Sequence, residues 1–270
     1  MKKEIITSAQ NPKIKNLLLL QEKSKARREQ GLFVVEGRRE LEHCLEAEFK
    51  IKTLFVCPAI AGEDALSGAS AFFLAEERAS FPVIEIPEQL YRKVAYRDST
   101  EGIIAEVEYK SLTLEDLQLP EHPLIVVLEA VEKPGNLGAV LRTADAAGAD
   151  AVFICDPLTD LYNPNLIRAS IGAVFTVPTV AVSSQEAIGF LKGRGIQILT
   201  AQLQDSSFYY DVDMRGGTAL VMGTEATGLT PVWRQAADAH IRIPMLGRLD
   251  SLNVSVSASI LLFEAVRQRQ

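Results

Sequence analysis

The sequence predicts an α/β fold in two parts: a smaller N-terminal α/β domain, then a larger one built on a parallel sheet. Three observations lead there. Short apolar runs of strand length alternate with helix-forming stretches over most of the 270 residues. A proline-bearing stretch, Lys110 to Pro123, interrupts that alternation. Basic side chains gather at the start of a chain whose net charge is −7.

In the first part, Asn11 and Pro12 read as a helix cap and first turn. The basic stretch that follows is helix-forming to Gln30 and is closed by Gly31. LFVVEG (32–37) is a strand, 38–48 a helix, IKTLFVC (51–57) a strand and PVIEI (82–86) another. PEQLYRKVA (87–95) is helical, and GIIAEVEY (102–109) alternates with the period of two that a strand requires. Residues 1–110 are therefore expected to form one α/β sandwich and 111–123 a linker with room for a short helix.

Residues 124–270 form the second domain. LIVVLEAV (124–131) and AVFIC (151–155) suit buried parallel strands, with a helical crossover between them. IQILTA (196–201) and TALVMG (218–223) repeat the theme across a loop-like stretch. Asn253 to Gln268 reads as an amphipathic closing helix.

Bulk properties exclude several classes. A composition of 47% hydrophobic and 23% charged residues is that of a soluble globular protein. The longest early apolar run, Leu17 to Leu20, is too short for a signal peptide or a membrane span, so a cytoplasmic protein is expected. Cys44, Cys57 and Cys155 are odd in number and widely spaced, which suggests inert thiols rather than disulfides or a metal site. His43, His122 and His240 lack metalloprotease spacing. The negative net charge argues against nucleic acid until its distribution is considered: residues 1–40 hold ten Lys or Arg against five Glu. A solvated helix face would look the same.

Three segments place Gly, Asn, Ser and charged residues just beyond apolar strands, where open parallel sheets bind ligands. In EKPGNLGAVLRTADAAGA (132–149), Gly135 and Gly138 would let backbone approach a ligand, Asn136 would cap the helix, and Arg142 follows less than two turns later. Taken by its spacing, a capped crossover helix with a surface arginine explains this segment better. LVMGTEATGLTP (220–231) carries Gly223, Glu225 and Gly228 ahead of a helix start at Thr230–Pro231; such loops often only turn the chain. IRIPMLGRLDSLNVSVSASILLFEA (241–265) leads through Ser251 and Asn253 into an apolar helix, and a capped terminal helix accounts for it. The dinucleotide fingerprint GxGxxG is absent.

In this order and spacing, NLGAVLRTADAAGA, LVMGTEATGL and IPMLGRLDSLNVSVSASILLFEA resemble the three motifs of the SpoU (TrmH-like) RNA ribose 2′-O-methyltransferases of the SPOUT superfamily. ASIGAVF (169–175) resembles the family's intervening segment, so the likeness spans 124–270. ITSAQNPKIKNLLLL, FVVEGRRELEHCL and TEGIIAEVE resemble the family's accessory substrate-binding domain, a fold shared with kink-turn-binding ribosomal proteins.

The resemblance implies a C-terminal trefoil-knot domain, which periodicity cannot reveal because knots break the ordinary topology rules. It implies S-adenosylmethionine held by Gly223, Ile243 and Leu252, largely through backbone groups. Asn136, Arg142, Glu225, Ser251 and Asn253 would line the reaction site. It also implies a homodimer, no metal, and RNA as substrate, with residues 1–110 binding it. The family's base corresponds to Arg142, yet a guanidinium stays protonated, so phosphate binding and alkoxide stabilisation suit it better. Two-domain members suggest ribosomal rather than transfer RNA. Transfer-RNA methylation, a non-catalytic RNA-binding or ribosome-assembly protein, and a small-molecule α/β enzyme remain the alternatives. Asp250 is an acidic residue beside a site meant for RNA.

Overall fold

The computed structural model describes residues 4–62, 81–96, 101–224 and 227–270. Its contacts divide the chain into two units, one of residues 1–110 with 162–168 and one of residues 111–161 with 169–270.

The first unit runs β1 (Glu4–Ile5), α1 (Pro12–Glu22), α2 (Ser24–Gln30), β2 (Leu32–Glu36), α3 (Arg38–Glu46), β3 (Ile51–Val56), α4 (Pro58–Ala61), β4 (Val83–Glu85), α5 (Glu88–Val94) and β5 (Ile103–Glu108). Its sheet has the order β1-β4-β3-β5-β2, parallel on the β1 side and antiparallel around β5. Ile14, Leu17 and Leu20 of α1 pack into a core with Phe55, Ile84 and Tyr91.

The basic stretch is two helices rather than the single one expected. Asn11 does cap it, its side chain accepting from the Lys13 amide, and Gly31 ends it in the left-handed conformation. The break falls at Lys23, which is extended at φ −112° and ψ 109°. Arg27 explains why the chain folds back there. Its buried guanidinium donates to the carbonyls of Leu20 (2.7 Å) and Gln21 (3.1 Å), which α1 leaves unsatisfied at its C-terminus. One of the basic residues counted at this end is thus a structural cap, out of reach of any phosphate.

The second unit runs β6 (Leu124–Glu129), α6 (Pro134–Ala146), β7 (Ala151–Cys155), α7 (Pro164–Ser170, whose first five residues count with the first unit), α8 (Ala173–Thr176), β8 (Thr179–Val182), α9 (Ser184–Gly193), β9 (Gln197–Ala201), β10 (Ser207–Phe208), β11 (Thr218–Met222), α10 (Pro231–Ala236), β12 (Ala239–Arg242) and α11 (Val254–Arg269). The seven strands are all parallel, in the order β10-β12-β9-β11-β6-β7-β8. Every residue of β6, β7 and β11 is buried, which explains their unbroken apolar runs: both faces of the sheet are covered. On one face Ile125, Val127, Phe153 and Val221 meet Leu191, Leu229 and Trp233. Residues 111–123, expected as a linker, contain a single 3₁₀ turn, and Leu114 and Leu117 belong to this same core.

The closing helix α11 packs against α6, with Thr143 and Ser259 hydroxyls 3.1 Å apart. At its far end Arg269 donates to the carbonyls of His122, Pro123, Met214 and Gly216, fastening it to the segments that lead into β6 and β11. Burial lowers the Arg269 pKa.

Candidate active site

A cavity of about 410 Å³ opens at the carboxyl ends of β9, β11 and β12, within the size range of small-molecule sites. Three chain segments wall it. Ala201 to Gln204 come from the end of β9, Gly223, Thr224 and Thr227 to Leu229 from the loop after β11, and Arg242, Ile243, Met245 and Asp250 to Leu252 from the end of β12 and the segment that leads into α11.

The described residues at the two ends of the β11 loop are closely packed. Gly223 has no side chain, and a Cβ there would stand 2.3 Å from the carbonyl oxygen of Gly228, so only glycine allows the loop to close on itself. Gly228 takes φ +67°. At the loop's end, Thr230 donates from its amide (2.8 Å) and hydroxyl (2.6 Å) to the buried carboxylate of Glu129 at the tip of β6. Trp233, fully buried, donates from its indole to Ser184, whose hydroxyl donates in turn to Asp156. Leu229 enters the core between these anchors.

The expected residues distribute as follows. Gly223, Ile243, Ser251 and Leu252 all line the cavity. Asn253 lies just beyond and caps α11, its Oδ1 accepting from the amide (3.0 Å) and hydroxyl (2.6 Å) of Ser255. Its Nδ2 donates to Asn136 Oδ1 at 3.1 Å, joining the first motif to the third. Arg142 is exposed on α6 and is not part of the cavity lining. Glu225 lies outside the described residues. Asp250 lines the cavity, its carboxylate accepting from Ser251 at 3.4 Å.

Two readings of the first motif change. Asn136 does not cap α6, because Pro134 occupies the first helical position and Lys133 precedes it as the cap residue. Gly138 serves helix packing. A Cβ there would lie 2.5 Å from Ala169 Cβ, so this glycine lets α6 pack directly on the end of α7, while nothing lies within 4 Å of one on Gly135.

Sequence reasoning also missed Glu129, Gln202 and Arg234. Glu129 carried a signal, being the one charged residue in an otherwise apolar run. Arg234 on α10 lines the cavity. Gln202 gives its Nε2 to the Gln204 carbonyl (2.9 Å), which leaves its buried Oε1 without a partner among the described residues. A carbonyl can only accept, so the amide cannot flip. The Cys155 thiol is pushed well above its ordinary pKa by burial and by the nearby Asp156 and Glu129 carboxylates, which makes it unreactive. Among the described residues no group of three or more His, Cys, Asp or Glu could hold a metal, and no helix is long and apolar enough to cross a membrane.

Residues 123–263 match the model of the SpoU rRNA Methylase family, and residues 11–105 match that of the MRM3-like substrate binding domain. The chain belongs to the SpoU rRNA methylase family. It is 37% identical over 203 residues to the 23S rRNA (guanosine-2′-O-)-methyltransferase RlmB of Ralstonia nicotianae, covering 73% of this chain and 82% of that one. It is 29% identical to the 23S rRNA (guanosine(2553)-2′-O)-methyltransferase RlmP of Bacillus subtilis, across 96% of this chain and 97% of the relative. An S-adenosylmethionine-bound rRNA methyltransferase from Sinorhizobium meliloti superposes with a TM-score of 0.88 at 30% identity, covering 99% and 98% of the two chains.

As a SpoU methylase the chain has the family's trefoil-knot fold behind an N-terminal domain and uses S-adenosylmethionine as methyl donor. The cavity suits that molecule. Gly223 keeps one wall free of side chain, and Gln202 Oε1 offers an unused acceptor to the cofactor's amino or hydroxyl donors.

Proposed function

We propose that this SpoU methylase transfers a methyl group to the 2′-hydroxyl of a guanosine ribose in 23S rRNA. The observation that carries the reading is the Asn253–Asn136 contact, which ties the helix behind the cavity to the helix bearing Arg142. The RNA substrate follows from the relatives' activity. Transfer-RNA methylation and a non-catalytic role find no support in them.

Bound S-adenosylmethionine supplies an electrophilic methyl on sulfonium sulfur. The protein then has to bring the ribose oxygen in line and take up its proton, and positioning alone can account for much of the rate. Gly223, Ile243 and Leu252 hold the cofactor. Asn136, Ser251 and Asn253 offer hydrogen bonds at the cavity's edge to orient the ribose, and Glu225 belongs to the same group by its place in the second motif. Arg142 binds the RNA phosphate and stabilises the developing alkoxide, a phosphate oxygen or water receiving the proton.

Residues 1–110 bind the RNA. Lys15, Lys23 and Arg28 are exposed there and suited to phosphate contact. The enzyme acts in the cytoplasm as a homodimer. Val256 and Phe263, seven residues apart on α11, are 46% and 48% exposed and give a second copy an apolar stripe to cover.

The test is incubation with methyl-labelled S-adenosylmethionine and, in parallel, total RNA and ribosomal particles from a strain lacking the gene, followed by mapping of the labelled ribose. Label at one guanosine of 23S rRNA is the expected result. Label in transfer RNA alone, or none in naked RNA or ribosomal particles, would overturn the reading.

A further inference from the structure

Beside the cavity, on the edge of the sheet, three side chains form a layered stack. The Arg242 guanidinium lies 4.5 Å from the centre of the Phe208 ring, and Phe208 and Tyr210 are stacked with centroids 5.4 Å apart at 20°. Tyr209 meets Tyr210 edge-on at 5.1 Å and 70°. The parallel pairing of β10 with β12 sets Phe208 opposite Arg242, and Arg242 Nη1 donates to the Ser206 carbonyl and, at 3.2 Å, to its hydroxyl. The stack is therefore rigid on its inner side. On its outer side Tyr210 is 47% exposed.

Arg242 also lines the cavity, as does Leu203, itself 47% exposed, so the stack adjoins the cavity on its β12 side, away from β6. Aromatic faces backed by arginine are what proteins use to hold single-stranded bases. Asp205 and Asp211 are exposed and acidic on either side of the aromatic run, and Arg267, the cation near Tyr209, is paired with Glu264, which disfavours phosphate there and leaves the base faces as the attractive partner.

We propose that Tyr210, supported by Phe208 and Arg242, stacks a nucleobase of the RNA substrate. The inference rests on the reading of the chain as an RNA methylase. β10 stands four strands from β6, the strand leading into Asn136, or roughly 19 Å at the usual strand spacing. That exceeds the reach of one nucleotide, so the stacked base belongs to a neighbour of the methylated residue, and the contact selects for an unpaired flanking nucleotide.

The experiment compares wild type, Tyr210→Phe and Tyr210→Ala on an unmodified 23S rRNA transcript, measuring methyl transfer, RNA affinity over a series of salt concentrations, and affinity for S-adenosylhomocysteine. Tyr210→Ala should weaken RNA binding by roughly 5- to 150-fold. It should leave the salt slope and S-adenosylhomocysteine affinity unchanged, and Tyr210→Phe should behave as wild type. RNA affinity unaltered in Tyr210→Ala, or a salt slope reduced by it, would overturn the platform. A wild-type enzyme that binds S-adenosylhomocysteine yet never labels RNA would instead overturn the methylase reading on which the platform rests.

Discussion

Asn253 donates its side-chain amide to Asn136 Oδ1 at 3.1 Å across 117 positions of sequence, while its own Oδ1 caps α11. The two jobs use different atoms, so they can be separated. Asn253→Asp keeps the capping oxygen and loses the donor. We expect it to retain thermal stability and lose methyl transfer. Asn253→Ala should lose both, with about 0.5–2 kcal/mol of stability gone with the cap. Thermal midpoints and kcat for the pair decide the matter; an Asn253→Asp enzyme as fast as wild type would show the link to Asn136 to be idle.

Gly223→Ala would push a methyl group against the Gly228 carbonyl, 2.3 Å away. The loop has to open, and the cavity wall moves with it. Affinity for S-adenosylhomocysteine, measured by calorimetry, is expected to fall by more than about tenfold, or ~1.4 kcal/mol. Unchanged affinity would mean that the wall does not contact the cofactor.

Gly138 and Gly135 should respond in opposite directions. An added methyl at Gly138 meets Ala169 in a packed interface and should cost ~1–3 kcal/mol. At Gly135, inside α6 with open space around it, alanine should gain up to about 1 kcal/mol through lower backbone entropy and better helix propensity. Two thermal melts test the pair, and midpoints moving the same way would contradict it.

Arg142 stands outside the cavity lining, so its removal should spare the cofactor. For Arg142→Ala we expect kcat to drop on the order of 100-fold or more, the usual scale for losing one stabilising donor. Affinity for S-adenosylhomocysteine should stay within about twofold. Lysine should rescue poorly, since it cannot reproduce the planar fork of donors. Equal losses of binding and turnover would assign Arg142 a structural part.

Replacing Lys15, Lys23 and Arg28 together by glutamine should weaken RNA binding and lower the slope of log affinity against log salt by about one for each phosphate no longer neutralised. Filter binding over a salt series gives both quantities. Arg27→Gln forms the contrast: its guanidinium caps α1, so it should lower the melting point instead. An unaltered salt slope in the triple variant would remove these cations from the interface.

The sequence made local structure readable wherever a local rule governs it. The apolar run at 124–131 contains β6, the Asn11 cap and the Gly31 stop stand where expected, and Thr230–Pro231 does open a helix. Reading failed where a distant partner decides. Lys23 breaks a helix because Arg27 turns back onto Leu20 and Gln21, and propensity carries no sign of that. Asn136 and Gly138 look like ligand residues in one dimension, yet the first meets Asn253 and the second meets Ala169. β8 and the two-residue β10 are too short for a periodic signal. The motif residues were found through resemblance, and that Gly223, Ile243, Ser251 and Leu252 line one cavity is a matter of topology.

The cavity walls come from residues 201 to 261, the last of them on α11. During synthesis, then, the cofactor site is not complete until Leu261 has been made and α11 has taken its place beside α6. A nascent or half-threaded molecule is blind to S-adenosylmethionine, whereas a finished one gains RT ln(1 + [L]/Kd) of stability from it. Cellular cofactor thus acts on this chain as a seal applied after assembly, holding closed only those copies whose ends have already found their way through.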